Sequence, residues 1–224
     1  MRDRIVLLAP LVLFGGMGLL LTTDATRGFA MRMSRENGPI ELATALLLLV
    51  GAVCGIRLTW RVGRAGGGRL AVGFVVLFSL GLFVVGMEEI AWGQKLIGYQ
   101  TPALFQQVNQ QHEVTLHNLP GLHGHSDLMW AGFALCGLFG MALHRWEPAR
   151  LIAPEPTLAS WLLIIAGVGL MMAYRDIVDA DNRFFTLLRR MDEFIELLIA
   201  MVSCLYLWQT ARRVSSTGHE VEPS

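Results

Sequence analysis

A chain of 224 residues that is 54% hydrophobic and 16% charged, with a mean hydropathy of +0.50, has too little polar surface to cover a water-soluble domain of its size. Its 18 Lys and Arg balance 18 Asp and Glu, so it lacks the net basic face that a nucleic-acid binder needs to displace counterions. Cys54, Cys136 and Cys204 each lie inside an apolar run, which argues against a disulfide framework or a cysteine metal knuckle.

Apolar stretches long enough to cross about 30 Å of hydrocarbon fall at about 5–22, 40–60, 70–92, 128–146, 158–176 and 193–209. They predict an all-α protein: a single six-helix transmembrane domain over 1–210, followed by a disordered polar tail at 211–224. The first run follows Arg2 and Arg4 as a signal peptide does, but it stays apolar to Leu21 with no small-residue cleavage site, so a retained helix is expected. Before the second run, Pro39 marks a helix start. Glu41 lies in its first turn, where the helix dipole stabilises an acid by about 0.3–1 kcal/mol. Within that run Gly51 and Gly55 form a G-x-x-x-G that permits close approach of another helix.

The third run ends on Glu88 and Glu89, which follow an apolar stretch from Leu70 to Met87 and still precede Ile90-Ala91-Trp92. An acid at bilayer depth costs about 2.5–3.5 kcal/mol on insertion scales, and at a helix C-terminus it also opposes the dipole. The pair therefore calls for a proton, a metal or an arginine. Next, Thr101-Pro102 signals a helix start, and an interfacial or re-entrant helix is expected over about 102–117, ending before Pro120. On it Glu113 and His117 are four apart and share a face, with Asn109 one turn earlier. A carboxylate and an imidazole so placed can share a metal, or act as an oriented general base. His123, His125 and Asp127 follow closely, whereas His112 projects away from His117. The sixth run opens on Asp192-Glu193-x-x-Glu196. The dipole explains Asp192 and Glu193. Glu196, set among Phe194, Ile195, Leu197 and Leu198, needs a partner, for which Arg175 at the end of the fifth run is available.

Alternation of the spans puts all but five of the 18 acids (Asp3, Glu147, Glu155, Glu220 and Glu222) on one side, with four of the six histidines. The basic residues divide ten to eight. The slight excess lies with both termini, which favours cytoplasmic N and C termini.

The blocks Glu36-Asn37-Gly38-Pro39-Ile40-Glu41, Glu88-Glu89-Ile90-Ala91-Trp92-Gly93-Gln94 and Asn109-x-Gln111-x-Glu113-x-x-x-His117-Asn118 resemble a group of uncharacterised bacterial polytopic membrane proteins. The likeness covers about a third of the chain. It implies a bacterial inner-membrane location and supplies no activity. The ceramidase-like membrane hydrolases are similar in size, but their late H-x-x-x-H is absent here, where Asp192 and Glu196 stand instead. Phosphate-cradling, nucleophile-elbow and H-E-x-x-H motifs are also missing.

The expectation is an integral membrane enzyme, a metal-dependent hydrolase or transferase acting on a lipid or other anionic membrane-associated substrate. Glu41, Glu88, Glu89, Glu113, His117 and Glu196 are the candidate ligands of a divalent ion. Oxygen-rich donors with an imidazole suit Zn, Mn or Fe alike. Glu113, His117 and Glu89 are the candidate catalytic groups, with Arg175, Asn109, Trp92 and Gln94 placed to bind substrate. Two alternatives stay open: a proton- or cation-coupled transporter or channel using the same acids, and a non-catalytic subunit that binds a partner.

Overall fold

The computed structural model describes residues 2–35, 37–109, 113–116, 125–180 and 182–218. The described residues form the helices α1 (Arg2–Thr22), α2 (Asp24–Met33), α3 (Pro39–Arg64), α4 (Arg69–Glu89), α5 (Gln94–Ile97), α6 (Ala103–Val108), α7 (Ser126–Ala142), α8 (Glu147–Arg150), α9 (Ala159–Val178), α10 (Arg183–Arg189) and α11 (Asp192–Gly218). Six segments are long and apolar enough to cross a membrane: Asp3–Thr22, Pro39–Arg64, Arg69–Glu89, Ser126–Arg145, Pro156–Val178 and Asp192–Ser216. Their outward faces are greasy, with Leu77 71%, Phe139 66% and Leu163 60% exposed. Water would penalise such a surface and hydrocarbon would not, so the chain is an integral membrane protein.

Local chemistry sets the helix ends. Gly38 is extended as the N-cap of α3, and Pro39 takes the first helical position, where its missing N–H costs nothing. Between α3 and α4, Gly66 adopts φ +76°, and this tight turn makes the two helices an antiparallel pair. Gly51 and Gly55 provide the close packing expected of them. A Cβ at Gly51 would lie 3.2 Å from Leu82 of α4 and 3.4 Å from Cys204 of α11, and one at Gly55 would collide with the Ser79 side chain. α3, α4 and α11 thus pack as one group.

The second group is α7, α9 and α1. α7 and α9 cross so closely that a Cβ at Gly169 would meet the Asp127 carbonyl and the Ala131 amide. α1 is held by a more particular device. Pro10 lies inside it and has no N–H, so the Val6 carbonyl loses its helical donor. The buried Trp161 indole donates to that carbonyl at 2.9 Å, and Ser160 donates to the neighbouring Leu7 carbonyl at 2.6 Å.

These contacts place the start of α1 beside the start of α9. At the same end, Gln209 donates to Thr157 and Arg213 reaches the carbonyls of Arg150, Leu151 and Ala153. The end of α4 and the starts of α3, α7 and α11 lie at the other end, so Glu41, Glu88, Glu89, Asp127, Asp192, Glu193 and Glu196 gather there.

Two expectations change. The helix expected over 102–117 stops at Val108, because Asn109 is extended (φ −87°, ψ 129°), and residues 113–116 are not helical. Glu113 is therefore not on a helix, and His117, expected to share its face, lies outside the described residues. The reason is local: Asn109 turns its amide onto the Thr115 carbonyl, 2.7 Å away, and so closes a loop where a helix would have continued. In the expected tail, residues 211–218 continue α11, anchored by Arg213.

Candidate functional site

α4 terminates in an unusual turn. After Glu89 and Ile90, three successive residues take positive φ: Ala91 at 46°, Trp92 at 55° and Gly93 at 88°. A non-glycine residue in this region is strained, by about 1–3 kcal/mol each, and the surroundings must hold it there. Glu88 contributes on both sides. One of its carboxylate oxygens accepts the Trp92 indole N–H at 2.5 Å, and the other accepts the Leu116 amide at 2.6 Å. Gln94 accepts the Val114 amide at 2.9 Å and donates to Thr101 at 2.6 Å. Buried Asn109 donates to Thr115 and accepts the Glu113 amide at 3.3 Å. These bonds clamp the loop onto the end of α4.

Glu88, Trp92, Gln94 and Asn109 are thereby assigned to the scaffold by their contacts. Glu89, one residue on, faces the bundle. There it meets Glu193 and Glu196 of α11, and one carboxylate oxygen from each lies within 4.8 Å of the other two. All three residues are partly buried. Glu193 and Glu196 share a helix face at i, i+3 spacing, which is the sequence signal that could have joined Glu193 to the candidates. Glu41, at 5% exposure, accepts the Asn37 backbone N–H at the start of α3 and lies within electrostatic reach of Glu196.

Beside this triad stands a second pair of acids. Asp127, in the first turn of α7 and 6% exposed, and Asp192, at the start of α11, are within electrostatic reach of each other. Each has one carboxylate oxygen shut away from solvent with no hydrogen-bond partner among the described residues. Such a group is costly unless it is paired.

Arg175, expected to pair with Glu196, instead bonds its neighbour Asp176 at 2.5 Å, and with Arg189 it lies near Asp192. Among the described residues, the groups within electrostatic reach of Glu196 are acids: Glu89, Glu193, Asp192 and Glu41. Of the expected metal ligands, the structure therefore joins Glu89 and Glu196, keeps Glu41 nearby and commits Glu88 to the loop. Glu113 sits in that loop, while His117, His112 and His123 lie outside the described residues. No protein-family model, curated protein or solved structure matches this chain.

Proposed function

We propose that the protein is an integral membrane enzyme that uses a divalent metal ion at Glu89, Glu193 and Glu196 to act on a lipid or another anionic membrane-associated substrate. The observation that carries this reading is the meeting of three carboxylates from two helices at one membrane-facing end of the bundle. At about 4 Å two like charges repel by about 4 kcal/mol at an effective dielectric of 20. A divalent cation converts that repulsion into attraction, and carboxylate oxygens are suitable donors for it. The solvent-shielded oxygens of Asp127 and Asp192 add negative charge on the same side. Arg175 and Arg189 supply the cationic side needed to hold an anionic headgroup. The ion's chemistry is Lewis acidity toward a phosphoryl or carbonyl oxygen and activation of a bound water. A carboxylate of the cluster left free of the metal is placed to take the proton.

Elemental analysis of the purified full chain tests this reading. The expected result is about one or two equivalents of Zn, Mn or Fe, lost in Glu193→Ala/Glu196→Ala. Metal-free protein whose melting temperature responds neither to a chelator nor to added metal overturns it.

One observation favours a second reading, a proton- or cation-coupled transporter. Glu196, Ser203 and Thr210 are spaced by seven along α11 and so lie on one helix face. Thr210 is buried beside Tyr206, and the Ser203 hydroxyl is buried without a hydrogen-bond partner among the described residues. A polar stripe through the membrane is what an ion path requires.

A further inference from the structure

At the end of the bundle away from the carboxylates, the two helix groups do not close on each other. α4 packs on α3, and α7 packs on α9. Between α4, α7 and α11 this leaves a cavity of about 380 Å³, walled by Phe74, Phe78, Phe133, Cys136 and Tyr206, with Trp146 at its edge. The Tyr206 hydroxyl is already committed to the Ile152 carbonyl at 2.7 Å, so it presents its ring to the space. An unfilled void forfeits the dispersion contacts of the atoms that line it. Inside a bilayer the material at hand to fill it is a hydrocarbon chain.

The rim adds charge. Leu70 and Trp146 line the cavity, and the exposed Arg69 and Arg145 are their neighbours in sequence. Neither arginine has an acidic partner among the described residues, whereas Arg150 is already paired with Glu147 at 3.3 Å. Trp146, an exposed amphipathic aromatic, stands at the same level, as the residues of interfacial belts do. An apolar slot whose lining is flanked in sequence by two arginines, neither with an acidic partner among the described residues, matches one phosphate above one acyl chain.

We propose that this cavity is a binding site for an anionic phospholipid, its acyl chain between α4 and α7 and its phosphate on Arg69 and Arg145. The site is separate from the carboxylate cluster and does not rest on the enzyme reading. The test uses the full chain in neutral detergent, with bound lipid counted by native mass spectrometry. Phosphatidylglycerol and phosphatidylcholine of identical chains are the probes. The expected result is a preference of about tenfold for phosphatidylglycerol, since two surface cations each favour an anionic headgroup severalfold. Arg69→Ala/Arg145→Ala brings the two lipids within about twofold of each other. Cys136→Trp, which plugs the cavity from α7, weakens binding of both by about tenfold or more. Equal binding of the two lipids to the unaltered protein overturns the proposal, as does a charge preference that survives loss of both arginines. Dimerisation abolished by Cys136→Trp also overturns it, because a second copy would then be the occupant. The arginine variant changes exposed positions and carries the test by itself if Cys136→Trp folds poorly.

Discussion

Glu88 and Trp92 are joined by a 2.5 Å hydrogen bond from the indole to the carboxylate, across a turn in which Ala91, Trp92 and Gly93 all have positive φ. The bond ties down the strained residue itself, and the second Glu88 oxygen ties the Leu116 amide to the same point. Because Glu88 is held toward the loop, Glu89 is left to face α11. The expected consequence is that Glu88→Ala lowers stability by about 2–4 kcal/mol, the scale of losing charge-assisted bonds and stranding their donors. Thermal melts in detergent measure this. Trp92→Phe, which keeps the ring and loses the donor, falls by about half as much.

Replacing single members of the triad separates ligand from scaffold. If the triad holds a divalent ion, Glu89→Gln, Glu193→Gln and Glu196→Gln are each expected to lower metal affinity by at least about tenfold, because each would remove one anionic donor. Glu196→Gln, whose carboxyl lies near Glu89, Glu193, Asp192 and Glu41, also leaves the melting temperature of metal-free protein unchanged or raised, since like-charge repulsion falls. Calorimetric titration of stripped protein with Zn and Mn reads the affinities. A triad whose three variants bind metal like the unaltered chain is not a metal site.

Ion flux distinguishes the two functional readings. In proteoliposomes, a transporter using the α11 stripe loses proton or cation flux on Glu196→Gln and on Ser203→Ala. The enzyme reading expects no flux in the unaltered protein, and turnover of a lipid extract that Ser203→Ala leaves intact.

The seam between α1 and α9 predicts a coupled pair. Trp161→Phe strands the Val6 carbonyl and is expected to cost about 1–3 kcal/mol. Pro10→Ala restores an N–H at the position from which a helix would satisfy that carbonyl. The double variant is therefore expected to recover part of the loss made by Trp161→Phe alone. A double-mutant cycle of melting temperatures checks it, and strict additivity would rule out the carbonyl as the link.

Arg213 closes the opposite end through three main-chain carbonyls, those of Arg150, Leu151 and Ala153, and through Glu155 at 3.3 Å. Arg213→Ala is expected to destabilise by about 1–3 kcal/mol. Arg213→Lys restores less than half, because an ammonium cannot reproduce the planar fork. Melting temperatures in detergent are again the measure.

The six spans could be read from the sequence because membrane insertion is scored locally, by the length and apolarity of one run. The start of α3 was equally local, set by Pro39. So was the division of acids to one end, which follows from counting spans. The helix expected over 102–117 failed for a non-local reason: the amide of Asn109 found Thr115, and Gln94 and Glu88 captured Val114 and Leu116. The candidate site was half legible. Glu89 and Glu196 stood out as acids in apolar surroundings, whereas Glu193 looked like an ordinary first-turn acid. Sequence spacing also could not say which of Glu88 and Glu89 faces the bundle.

Hydropathy and span alternation depend on residues near one another, and they suffice to make this a membrane-embedded helical chain with most of its acids at one end. Which acids meet depends on packing between distant segments. Glu89 faces the bundle from the last turn of α4, and Glu193 and Glu196 are brought to it by the packing of α11 against α3 beside α4.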